Sequence, residues 1–426
     1  MYARNKLPGA PILPAAFAVG LLLSACAEAP EAGSSDAVVF GGARVIVGDG
    51  GVIEDAVFVV EDGRFTAVGA AGEVDEPAGA SHVSLAGKTV MPAIVNAHIH
   101  LASDRETRTD QLQHYAYYGQ SMVVSLGTED GSVGLQMRGE VVPDGARSQS
   151  AGRGITSPEP GRTEIPHWVT TEDEARAAVR ELAAAQVDIV KIWVDDRSGQ
   201  YDRLSSGLYE AVIDEAHANG LRVTAHVFTL EDAKGLLRAG VDAFAHGIRD
   251  MDVDDELVAL WQERPNVVLV PNLPAPGVAE DMSWLAGSVP AAQVELMQTN
   301  SFDRPELQDF FGIQARNLDR LSREGITISF GTDGSSPWAV HQELADMVRS
   351  GMSPADVIVA ATSASAEFVG ADDLGTVEAG MSADFIVLDA NPLDDITNTR
   401  TIDAVYLRGT AMDREGVGAR FRGADQ

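Results

Sequence analysis

Val187-Asp188-Ile189-Val190-Lys191-Ile192-Trp193-Val194 reads as a buried β-strand with one misfit, a lysine among β-branched and aromatic residues. An ammonium in such a place is costly to desolvate, so Lys191 is expected to have a lowered pKa or chemistry to do. Four other short apolar runs also carry polar side chains at or near their C-terminal ends. Met91-Pro92-Ala93-Ile94-Val95-Asn96-Ala97-His98-Ile99-His100 ends on two histidines. Arg222-Val223-Thr224-Ala225-His226-Val227-Phe228 and Ala243-Phe244-Ala245-His246-Gly247 carry one each, and Ser329-Phe330-Gly331-Thr332-Asp333-Gly334 carries an aspartate. In a (β/α)8 barrel the C-terminal strand ends form the face where catalytic residues gather. His98 and His100 share one strand face, because side chains repeat every second residue. Taken singly, an HxH pair arises by chance, His226 or His246 suits a half-buried structural role, and Asp333 suits a helix N-cap. Together they offer imidazole nitrogens and carboxylate oxygens suited to a borderline divalent cation such as zinc.

The gaps between these runs fit a barrel. Ser121–Leu126 supplies a second strand, Ala146–Ile155 contains a third, Val267–Pro271 supplies a seventh and Ile326–Phe330 an eighth. Helical stretches alternate with them. Thr171-Glu172-Asp173-Glu174 is a capping box opening a face of Ala175, Ala178, Val179 and Leu182. Leu208–Asn219 stops at Gly220 and Thr229–Ala239 at Gly240, glycine falling just past each helix. Ser353-Pro354 places an N-cap before a proline at the first helical position. Strand alternating with helix predicts an α/β fold, a (β/α)8 TIM-type barrel over residues 91–372.

With these residues in view the chain resembles the metal-dependent amidohydrolase superfamily from about Asp36 to about Gly416. Met91–His100 looks like a variant of that superfamily's first-strand HxH segment. Lys191, His226, His246 and Asp333 match a binuclear branch with a carboxylated lysine, related to prolidase-like dipeptidases and amidases. The resemblance implies that His98, His100 and Asp333 hold one divalent ion, His226 and His246 a second, and N-carboxylated Lys191 bridges the two zinc ions. A neutral lysine amine can take up CO2 to become an anionic oxygen ligand. Asn96-Ala97-His98 is also similar to the first strand of mononuclear deaminases, which carry an acid in an HxxE spacing after the fifth-strand histidine. Here Thr229 stands at that position and the nearest acid is Glu231, so the binuclear reading ranks first.

Residues 37–90 and 373–420 are strand-rich, with Gly and Asp turns. Gly380–Leu388 resembles the superfamily's return strand, which implies one small β-sandwich domain built from the N- and C-terminal segments. At the start, Arg4 and Lys6 precede an apolar run, Ile12–Leu23, shorter than the roughly 20 residues of a membrane span. Leu23-Ser24-Ala25-Cys26 looks like a bacterial lipobox. Residues 1–25 are thus expected to be a signal peptide, Cys26 the lipidation site and 26–36 a tether. Ala27 after that cysteine favours the outer membrane, facing the periplasm. Cys26 is the one cysteine, so no internal disulfide forms. A formal net charge of −33 argues against nucleic-acid binding. A homo-oligomer is compatible with all of this.

The expected chemistry follows from the ligand set. Two cations about 3.5–4 Å apart can lower the pKa of a bridging water toward about 7. The resulting hydroxide attacks a polarised carbonyl, and Asp333 passes the proton to the leaving group. An amine needs that proton, so the reading is hydrolysis of a carbon–nitrogen bond in a dipeptide or N-acyl amino acid. The same site supports lactone, ester or phosphotriester cleavage as an alternative, and a lipoprotein that only binds metal or peptide would have no use for Asp333 as a shuttle. Arg162, His167 and Tyr201 lie on loops expected to rim the pocket and are candidate substrate contacts. His82, His114, His217 and His341 read as structural or exposed.

Overall fold

The structure, a computed structural model, describes residues 36–423. The expected signal peptide, Cys26 and nearly all of the expected tether lie outside the described residues. Among the described residues no helix is long and apolar enough to cross a membrane.

Parallel strands alternate with helices through the middle of the chain. The first three barrel strands, Ile94–Ile99, Gln120–Ser125 and Arg147–Ser150, form one sheet. The fourth to seventh, Val190–Val194, Val223–Val227, Ala243–Ala245 and Val268–Val270, run side by side in another. Two-residue strands at Ile155–Thr156 and His167–Trp168 extend its edge. The third and fourth strands are stitched by Asp188, whose N–H donates to Ser150 O (3.0 Å) while its carboxylate accepts from Ser150 N (2.9 Å). Short apolar residues such as Val95, Ala97, Val124, Ala243 and Ala245 fill the interior between the strands.

The expected eighth strand, Ile326–Phe330, forms a single bridge, Leu269 with Ile328, and no longer ladder. Its place in the ring is nonetheless set by hydrogen bonds on both sides. Ser329 N donates to Leu269 O (2.9 Å), and Ala97 N donates to Phe330 O (2.8 Å). His100 N then donates to Gly334 O (2.9 Å). Past that bridge the chain is tightly constrained at Gly331 and left-handed at Asp333. A Cβ at Gly331 would meet Val270 at 2.6 Å and His98 at 2.8 Å, and Asp333 has φ +55°.

The helix signals behave as their chemistry predicts. Thr171 accepts from Glu174 N (3.2 Å) and Glu174 accepts from Thr171 N (3.2 Å), closing the capping box of Glu172–Ala184. Gly240, at φ +104°, ends Leu230–Ala239. A long excursion between the seventh strand and the eighth segment carries helices Ala291–Asn300 and Pro305–Arg323.

Strands from the two ends of the chain share one eight-stranded sheet. Phe385–Leu388 pairs antiparallel with both Ile402–Leu407 and Thr89–Pro92, and Thr89–Pro92 leads on to Val38–Ile46. The sheet folds over an aromatic core: Phe40 stacks on Phe58 (4.9 Å), Phe385 on Tyr406 (4.4 Å), and Phe40 meets Phe385 edge-on (5.4 Å, 84°). The terminal helix Arg414–Gly423 lies instead against the barrel, with Phe421 stacked on His114 at 3.9 Å.

Candidate active site

The candidate histidines sit near or just past C-terminal strand ends, as the sequence pattern requires, whereas Lys191 is the second residue of its strand. His98 lies near the end of the first strand, with His100 just past it. Lys191 is in the fourth strand, two pairs below the register that sets Trp193 beside His226. His246 directly follows the sixth strand. His246 and Asp333 hold left-handed backbone, φ +100° and +55°. Such conformations cost about 1–3 kcal/mol each in non-glycine residues and persist where surroundings over-determine them.

Asp333 is the hub. One of its oxygens lies 2.9 Å from His100 Nε2 and 3.5 Å from His98 Nε2, and the other 3.6 Å from His246 Nε2. Burial pushes its carboxyl up, but His98, His100 and His246 outweigh that and hold it well below the usual carboxylate range. Burial, then the neighbouring Lys191 charge, pushes the His98 and His226 imidazoles well below the usual histidine range. For His246, burial acts first and His226 next. Burial thus favours the neutral form of these rings, the form that binds metal.

The outer nitrogens are tied down. His98 Nδ1 donates to Asn272 Oδ1 (2.7 Å), so its Nε2 turns a lone pair toward Asp333. Two acceptors facing each other need a cation or a proton between them. Thr128 Oγ1 lies 2.9 Å from His100 Nδ1, and Arg249 donates to His246 Nδ1 at 3.0 Å. His226 Nε2 meets Asp195 at 3.2 Å. Ligand atoms of His98, His246 and Asp333 lie within 4.8 Å of one another, a span that one ion could bridge. His226 approaches that group ring to ring, its centroid 4.5 Å from that of His246.

Lys191 is an unsatisfied group beside these ligands. It is fully buried, its Nζ has no hydrogen-bond partner, and burial pushes its pKa down to about 7. An orphaned, near-neutral amine among imidazoles fits a group that becomes an oxygen ligand on taking up CO2. The donor set thus fits divalent metal.

Residues 149–412 match the amidohydrolase family. The chain belongs to that family. It is a hydrolase, and its fold is that of the family's barrel enzymes. An uncharacterised Mycobacterium tuberculosis protein is 28% identical over 78% of this chain and 88% of its own length. The imidazolonepropionase of Deinococcus radiodurans is 26% identical over 86% of this chain and 94% of its own. A Bifidobacterium longum crystal structure of proposed prolidase identity superposes with a TM-score of 0.73 at 27% identity. That likeness covers 92% of this chain and 99% of the other.

A cavity of about 180 Å³ opens over the ligands of this amidohydrolase, lined by Arg162, Trp193 and Arg197 as well as the four histidines and Asp333. Arg162 therefore faces the site. Tyr201 and His167 do not line this cavity: the Tyr201 hydroxyl donates to Pro160 O (3.2 Å), and His167 sits 3.8 Å from Glu181. Asp195 directly follows the fourth strand, where the sequence allows either a solvated loop residue or one at the pocket mouth; it is largely buried and bonded to His226. Arg197, Arg249, Thr128, Asn272 and Glu159 carry no sequence signal beyond position: the first four follow barrel strands closely, and Glu159 follows a two-residue strand.

Proposed function

We propose that this amidohydrolase cleaves the amide bond of a dipeptide or N-acyl amino acid at a two-metal centre. The observation that carries the proposal is the unpartnered, fully buried Lys191 amine within the ring of histidines. Its addition to CO2 with loss of one proton gives a carbamate, an anionic donor where an ammonium would repel cations. His98, His100 and Asp333 would hold one ion, His226 and His246 the other, with the carbamate between them. Divalent ions at such a site lower the pKa of coordinated water and polarise a carbonyl.

The chain's own residues supply the rest. Asp333, beside three imidazoles, is placed to take a proton from the attacking water and hand it to the leaving amine. Arg197 lines the cavity, and its Nη2 is buried without a partner. The two guanidiniums, Arg197 and Arg162, that line the cavity suit a substrate carboxylate. Both dipeptides and N-acyl amino acids end in one, and the prolidase-like neighbour agrees with this class. The deaminase alternative finds less support, because Glu231 is exposed and turned to Lys234 (3.3 Å). The chain is further read as an envelope lipoprotein held by lipid on Cys26, with no nucleic-acid partner.

Screening the zinc-loaded protein on dipeptides, N-acyl amino acids, lactones and phosphotriesters tests the reaction. Turnover of carboxylate-bearing amides, lost in Asp333→Ala, is expected. Activity restricted to lactones or phosphotriesters, with Asp333→Ala nearly harmless, would overturn the proposal.

A further inference from the structure

His226 is the one proposed ligand whose nitrogen meets a carboxylate from the loop after the fourth strand. Its Nε2 lies 3.2 Å from Asp195 Oδ2 and 3.3 Å from Arg197 Nη1. Both contacts cannot be hydrogen bonds in one tautomer, since a guanidinium only donates and a carboxylate only accepts. The Arg197 Nη1 group already donates to the same Asp195 oxygen at 2.7 Å. With the Nε2–H on the carboxylate, the ring's lone pair is left on Nδ1.

Asp195 is itself held on every side. Its other oxygen accepts from Arg197 N (3.0 Å), and Arg197 Nε donates to Glu159 Oε1 (2.9 Å). The Glu159 side chain is only 1% exposed, and its second oxygen accepts from Arg162 (2.5 Å). The loop is built for this wrap, with Arg197 and Ser198 both in left-handed backbone at φ +52° and +61°. Neither conformation comes free in a non-glycine residue, and the ion pairs of Arg197 hold it there.

We infer that Asp195 is a positioning residue: it accepts the Nε2–H of His226, fixes that tautomer and offers Nδ1 to the cation, with Arg197 locking the carboxylate in place. The inference rests on the reading of His226 as a metal ligand. Carboxylates that orient metal-binding imidazoles typically change metal affinity about 10–100-fold when removed. The arrangement also joins two functions in one side chain, because the arginine that locks Asp195 is one that lines the cavity.

Zinc affinity of the purified chain, measured by competition with a chelator, tests this together with imidazole ¹⁵N NMR of the metal-free protein. Asp195→Ala is expected to weaken one of two bound zinc ions about 10–100-fold and to shift His226 from the Nε2–H form to a tautomer mixture. Asp195→Asn retains an acceptor oxygen and should lose less, which keeps the test open if the alanine variant folds poorly. Asp196→Asn, whose carboxylate faces Arg203, should leave both readouts unchanged. Wild-type zinc binding in both Asp195 variants, with the His226 tautomer unmoved, would overturn the inference alone. A wild-type chain with no tight zinc would overturn the reading of the site and the inference with it.

Discussion

A buried amine with no hydrogen bond burdens the fold unless something else is bound to it. Leaving such a group unsatisfied costs about 1–3 kcal/mol. In the metal-free protein Lys191→Met, of similar length, should therefore raise stability by at least about 1 kcal/mol. The pH dependence has a definite sign. Burial holds Lys191 near 7 in the folded chain, below its ordinary value of 10.5. Between those values the unfolded chain binds more protons, so stability rises with pH, and below 7 the penalty is complete. Thermal melts of metal-free protein should show the methionine variant's advantage larger at pH 6 than at pH 10; an equal advantage would contradict the account. Lys191 is legible in the sequence because it interrupts an apolar strand. Asp195, Arg197 and Arg249 are not, because each gains its role from a histidine on a strand brought beside it only by folding, or from a neighbour whose side-chain direction the sequence leaves open.

At the scale of elements, two glycines make room for the fourth strand. A Cβ at Gly127 (φ +84°) would lie 2.6 Å from the Trp193 ring and 2.8 Å from Lys191 Cγ; one at Gly154 would lie 2.0 Å from the same ring. Gly220 is also left-handed, at φ +73°, but opens onto empty space. Gly220→Ala should thus cost only the backbone penalty, about 1–2 kcal/mol. Gly127→Ala adds overpacking against the fourth strand, a further 1–3 kcal/mol or so. Denaturant unfolding of the two variants checks this, and equal losses would show that the strand yields without strain. The first, second, fourth and fifth strands are plain in the sequence, since each is a five- or six-residue stretch with at least three apolar residues. The third is polar, Arg147-Ser148-Gln149-Ser150, and is defined by its neighbours. The eighth position shrinks to one bridge, and past it Gly331 is tightly constrained by His98 and Val270 across the ring.

For the whole molecule, the alternation of strand and helix made the barrel legible, whereas the folding of both chain ends into one sheet depends on aromatic contacts between residues more than 300 positions apart. The proposed anchor is also a whole-molecule property: Cys26→Ser should release the protein from envelope membranes, and mass spectrometry of membrane-derived wild type should find lipid on that residue. An unmodified Cys26 thiol there would end that proposal. The proposed two-metal centre draws on strands all round the barrel, so its occupancy reports on the assembled site most directly. Metal analysis of the purified chain is predicted to find two divalent ions per molecule, falling to one or fewer in Lys191→Ala. A single ion per chain, unchanged by that substitution, would contradict the two-metal account.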